Sequence, residues 1–159
     1  MVAPLLPAAP VPELRRHARL LLATDLAPSS EMATSEAFRL AAQMGAAVLV
    51  VNVIDPGALR RSTGRGPAMH QVRGSKELAM SELVARGRAH GVEVSYLIWE
   101  GDPAEAIIEA SQSEDVDLIV IGNRGHSGMG RALIGSVSDE VIRSAHCPVV
   151  VVRQSLPER

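Results

Sequence analysis

Short aliphatic runs recur along this chain at Leu20 to Ala23, Ala46 to Ile54, Val92 to Ile98, Asp117 to Ile121 and Pro148 to Val152, and stretches of helical periodicity separate them. That alternation constrains the fold more than any other feature. Runs this short, bounded by turn residues and rich in Val and Ile, read as strands, and unbroken apolar character implies cover on both faces. Val92 to Ile98 differs: it alternates like a half-exposed strand, which puts it at a sheet edge. The first intervening helix repeats Ala33, Ala37, Leu40, Ala41 and Met44 on one face, with Ser29 or Ser30 as cap and Gly45 to end it. Ala79, Met80, Leu83, Val84 and Gly87 mark a second helix, running from around Lys76 to Gly91. Ala104, Ile107, Ile108 and Ser111 follow an Asp102-Pro103 start signal, and Val137, Val141, Ile142 and Ala145 form the last buried stripe. Strand and helix in alternation predict an α/β fold: a three-layer, doubly wound, five-stranded parallel sheet with helices on both faces.

Bulk properties narrow the function classes. A length of 159 residues predicts one domain, able to bury about 70% of its unfolded surface. A formal net charge of -2 and an aromatic content of 2% give neither a basic footprint nor stacking platforms, so no nucleic-acid partner is expected. The lone cysteine, Cys147, forms no internal disulfide and reads as a small buried hydrophobe in a reducing cytoplasm. Pro4, Pro7, Pro10 and Pro12 interrupt the apolar N-terminus, and Arg15 and Arg16 follow it, which is the reverse of a signal peptide. Residues 1–16 are therefore expected to be a disordered extension, 17–154 the folded domain and 155–159 a tail. No apolar stretch reaches the roughly 20 residues of a spanning helix, so no membrane partner is expected.

The chemistry is concentrated between Val120 and Ser138. The strand ending at Ile121 runs into a loop with Gly122, Gly125, Gly128 and Gly130, and Gly135 with Ser136 opens the next helix. Bare backbone N–H groups and a helix N-terminus together make an anion site, with the Ser136 and Ser138 hydroxyls as further donors. Neither the dinucleotide fingerprint nor the lysine of the P-loop is present. Each residue also has a plain structural explanation: glycines make tight turns, and Ser136 with Asp139 has the spacing of a capping box. In combination, the loop context favours nucleotide phosphate.

The pattern Gly122-x-x-Gly125-x9-Gly135-Ser136, with Asp25 after the first strand and the closing run Ala145 to Arg153, resembles the ATP-binding branch of the universal stress protein family. The likeness covers roughly Arg19 to Arg153. It implies the adenine nucleotide alpha hydrolase-like strand order 3-2-1-4-5, which sets Asp25 and the glycine loop across one crevice. It further implies ATP, with Mg2+ shielding its phosphates, as the ligand. Ala23, Asp25 and Val53 would lie beside base and ribose, with Gly122 under the ribose. Gly125, Gly135, Ser136, Val137 and Ser138 would hold the phosphates, while Arg124 and Arg131 either neutralise phosphate charge or lie in solvent. Leu26-Ala27 departs from the family, which often has Gly or Phe and then Ser there. The resemblance also implies a homodimer, paired through the apolar edge Pro148 to Val152.

The function this suggests is an ATP-binding stress-response or signalling module. A dimeric interaction protein without nucleotide and a weak ATPase are the alternatives. No paired base and nucleophile, no Walker lysine and no adenylating signature accompany the loop, and His126 and Ser127 read as exposed loop residues. The stretch from Gly57 to Ser75, with Arg60, Arg61, Arg65 and Arg73, is expected to be a solvated loop, and Tyr96 and Trp99 to pack at the surface.

Overall fold

Leu20, Leu21 and Leu22 are all fully buried. Successive side chains of a strand point to opposite faces, so a strand in which every residue is buried must be covered on both sides. The computed structural model, which describes residues 18–63, 68–123 and 134–153, builds that arrangement. The central strand β1 (Arg19–Ala23) is followed by α1 (Glu31–Met44), β2 (Ala47–Ile54), α2 (Pro56–Thr63) and α3 (Met69–Ala89). Then come β3 (Val94–Glu100), α4 (Pro103–Ser113), β4 (Leu118–Gly122), α5 (Ser136–Ser144) and β5 (Val149–Val152). The strands lie in the order β3-β2-β1-β4-β5 and every pairing is parallel, as expected. Leu21 aligns with Leu49 on one side and Ile119 on the other.

Two cores result. On the first face Leu20, Leu22, Val48, Val50 and Val120 pack under α1 and α3 through Ala37, Phe38, Met80 and Leu83. On the second, Leu21, Leu49, Val51, Ile119 and Ile121 pack under α4 and α5 through Ile107, Ala110 and Val141. Each such Leu, Ile or Val contributes roughly 1.5–3 kcal/mol by leaving water. Among the described residues no helix is long and apolar enough to cross a membrane.

Several expectations need correction. The face of α1 is completed by Thr34 and Phe38, while Met44 is half exposed because Gly45, at φ 63°, turns the chain away immediately after it. Ile142 is exposed as well: the buried side of α5 turns through Ser138 and Val141. The basic stretch after β2 is largely helical, comprising α2 and the start of α3, with 64–67 outside the described residues. Asp55 starts α2 by accepting from the N–H groups of Gly57 and Ala58 at 2.8 and 3.1 Å, and scattered glycines hide the helical period in the sequence. Trp99 lies inside edge strand β3 and packs against the second core. Cys147 is half-buried; burial first, and the Asp117 carboxylate second, push its thiol pKa up.

Gly87 fixes the distance between α3 and the sheet. A Cβ there would lie 2.1 Å from Val94 Cγ2 and 3.3 Å from Phe38 Cζ. Val94 is buried and β-branched, with little freedom to turn aside. Alanine ordinarily gains about 1 kcal/mol over glycine inside a helix. Here we expect Gly87→Ala to lower stability by about 1–3 kcal/mol through overpacking. A lower urea midpoint at unchanged m would bear this out, and an unchanged or higher midpoint would contradict it.

Candidate functional site

The crevice at the carboxyl edge follows from the strand order. The connection from β1 goes to one neighbour, β2, and β4 arrives on the other side, so the chain parts between them, where open α/β sheets bind ligands. The opening has a volume of about 880 Å³. Its walls come from the ends of β1, β2 and β4, the first turn of α5, the start of α4, and side chains of α2 and α3.

The wall after β1 is a self-bonded turn. Thr24 Oγ1 accepts from the Leu26 N–H at 3.0 Å, and Asp25 Oδ1 accepts from the Ala27 N–H at 3.0 Å and from the Ser30 hydroxyl. Ser30 precedes α1 as expected but makes no side-chain cap, because its hydroxyl donates to Asp25 instead. The turn holds Leu26 at φ 65°, a left-handed conformation that costs a non-glycine residue roughly 1–2 kcal/mol. Leu26 is the position at which the sequence leaves the pattern of the family it resembles. Asn52, 1% exposed, ties β2 to this turn by donating Nδ2–H to the Thr24 carbonyl at 2.8 Å.

The opposite wall begins where β4 ends. Asn123, 7% exposed, donates its N–H to the Val152 carbonyl at 2.8 Å and accepts from the Gly135 N–H through Oδ1 at 3.2 Å. One side chain thus joins β4 to the start of α5. Gly135 is the N-cap, and its carbonyl accepts from the Asp139 N–H at 2.9 Å and from the Ser138 hydroxyl at 3.3 Å. Ser136 and Asp139, which have the spacing of a capping box, do not form one: Asp139 pairs with Arg143 at 2.7 Å, one turn on. N–H groups in the first turn of a helix have no acceptor within the helix, and the dipole there favours an anion. Among the described residues a Cβ at Gly122 would meet nothing closer than Ala33 Cβ at 3.6 Å, an ordinary contact.

Of the residues singled out from sequence, Ala23, Asp25, Val53, Gly122, Gly135, Ser136, Val137 and Ser138 all line this one crevice. Arg124 and Gly125 lie outside the described residues. Thr24, Asn52, Asn123 and Lys76 also line it and were not anticipated. A polar Asn within the Val-rich run of β2 was the available signal for Asn52. Asn123 and Lys76 carry no local signal, because their partners are 12 and 51 residues away.

Known proteins resemble this chain in sequence and in fold. The sequence model of the universal stress protein family matches residues 17–153. A universal stress protein of Methanocaldococcus jannaschii is 29% identical over 145 residues, covering 89% of this chain and 85% of that protein. One from Mycobacterium tuberculosis is 32% identical over 142 residues, covering 88% of this chain but 47% of its own length, so the chain spans about half of that relative. A solved universal stress protein in complex with cAMP superposes with a TM-score of 0.67 at 25% identity, over 87% of this chain and 98% of that one.

Replacing Asn123 with Leu should leave the Gly135 N–H without its acceptor and lower stability by about 1–3 kcal/mol. Equilibrium urea unfolding reads this directly. A midpoint equal to that of the unmodified protein would mean that Asn123 does not hold α5 in place.

Proposed function

The chain belongs to the universal stress protein family, and on that premise we propose that its crevice binds an adenine nucleotide, ATP with Mg2+, as a stress-response or signalling module whose occupancy alters shape or partner choice. One observation carries the reading: Asp25 and Val53 share a single crevice with Gly122 and the first turn of α5. That supplies a site for a base and ribose beside a site for phosphate. The volume, about 880 Å³, lies within the roughly 300–1,000 Å³ usual for small-molecule sites. The cAMP held by the related structure supports an adenine nucleotide as the ligand class.

In this reading Ala23, Asp25 and Val53 flank base and ribose, and Gly122 passes beneath the ribose. Gly135, Ser136, Val137 and Ser138, with Arg124 and Gly125, surround the phosphates. Magnesium usually keeps several waters and takes one or two carboxylates beside phosphate oxygens. Among the described residues no three ligating side chains cluster, so the phosphates themselves would carry the ion in.

ATP at about a hundred times its dissociation constant should stabilise the fold by roughly 2.7 kcal/mol, a visible rise in Tm. Gly122→Val should abolish that rise while the free protein stays folded, because a branched side chain would stand where bare backbone lines the crevice. An unmoved Tm in millimolar ATP would refute nucleotide binding.

We also propose a homodimer through β5. Its four valines are each half-buried, it borders the sheet, and among the described residues its pairing is with β4 alone. Natural edges are blunted by charge, bulges or a cover, and the first charge here is Arg153, beyond the strand. Two copies paired antiparallel about a two-fold axis would cover both edges. Light scattering should report a dimer at micromolar concentration, and Val150→Lys a monomer or insoluble protein. A monomer from the unmodified chain would exclude this interface.

A further inference from the structure

The ionisable side chains that line the crevice among the described residues are Asp25, Asp55, Asp102, Arg61 and Lys76. They differ in how they are engaged. Asp102 caps α4 by accepting from the Glu105 N–H at 3.0 Å. Asp55 caps α2 and faces Arg61, whose Nη2 lies 3.7 Å from Oδ2 and whose side chain is largely in solvent. Asp25 accepts from the Ala27 N–H and the Ser30 hydroxyl. Lys76 is different: it is half-buried, and its Nζ donates to the backbone carbonyl of Asp25 at 3.2 Å. Among the described residues no carboxylate lies within ion-pair distance of it.

An ammonium carries three donors, and a single carbonyl takes one of them. A partly desolvated cation without a counter-ion is a poor arrangement unless an anion completes it. The topology shows where that anion would come from. Lys76 descends from α3, on the first face of the sheet, whereas the first turn of α5 belongs to the second face. The crevice lies between them and both line it, so a phosphate at the N-terminus of α5 would share one opening with the lysine.

We propose that Lys76 is the residue that reads ligand charge, favouring nucleoside phosphates over the uncharged nucleoside from a helix on the other face of the sheet from α5. This inference rests on the nucleotide reading above. It assigns to α3, in a stretch that reads from sequence as the border of a solvated loop, a direct part in specificity. The bond to the Asp25 carbonyl aims the ammonium, and the two remaining N–H groups are left for phosphate oxygens.

Calorimetric titration of the full chain with ATP, AMP and adenosine, for the unmodified protein, Lys76→Met and Lys76→Arg, tests this. We expect Lys76→Met to weaken ATP by about tenfold or more, the scale of a hydrogen bond to a charged group, while adenosine changes less than about twofold. Lys76→Arg should keep most of the ATP affinity, and the unmodified protein should lose ATP affinity more steeply with salt than Lys76→Met does. Melting curves of the ligand-free variants establish that each is folded, and Lys76→Arg carries the test if the methionine variant is not. Equal losses for ATP and adenosine in Lys76→Met, or no loss for either, would overturn the assignment while leaving nucleotide binding intact. If Lys76→Met is unfolded, an arginine variant that loses ATP and adenosine alike would overturn it too. An unmodified protein that binds none of the three ligands would remove the nucleotide reading, and the role of Lys76 with it.

Discussion

Parallel pairing of β1 with both β2 and β4 is the contact from which the rest follows. A parallel neighbour can be reached only by a crossover, and crossovers in such sheets are right-handed, so leaving β1 in two directions carries helices to opposite faces. The faces are then filled by the two halves of one alternating sequence: Leu20 and Leu22 enter one core and Leu21 and Ala23 the other. The same geometry parts the chain at the carboxyl edge and leaves a gap lined by the ends of strands. Core and crevice therefore share one cause.

Over an apolar floor from the second core, a small set of polar ties shapes the gap. Asn52 holds Thr24, Thr24 holds Leu26, Ser30 holds Asp25, and Asn123 holds Gly135. Such bonds contribute about 0.5–1.5 kcal/mol each, and more is lost when a buried partner is removed. Together they offset the left-handed Leu26, and they present Asp25 and the first turn of α5 from opposite walls. Fixing these groups before a ligand arrives lowers the ordering cost of binding.

Strand positions were legible because aliphatic runs are short, dense and punctuated; even edge strand β3 showed itself by alternation. The start of α4 was legible for a chemical reason: Asp102 caps it and Pro103 opens it, as the residue types suggest. Helix faces were less so. Met44 and Ile142 fit the period but lie at or near helix ends, where the chain turns out of the core, and the buried face of α1 includes Thr34 and Phe38 instead. The basic stretch after β2 hid α2 although Asp55-Pro56 repeats the start signal of α4, because the glycines scattered through it break the helical period. The crevice residues that came from the motif lie at strand ends or in the first turn of α5. Asn123 and Lys76 reach the same place through partners far along the chain, so only the assembled fold identifies them.

A nucleotide at the carboxyl edge between β1 and β4 would perturb the amides that line it, and NMR chemical shifts followed during titration with ATP read that contact residue by residue. Saturable changes are expected at residues 23–25, at Val53, at Gly122 and Asn123, and through the first turn of α5 from Gly135 to Ser138. Amides at the opposite ends of the same strands, such as Arg19, Ala47 and Leu118, should stay unmoved. No saturable change, or changes centred on that opposite edge, would contradict binding between β1 and β4.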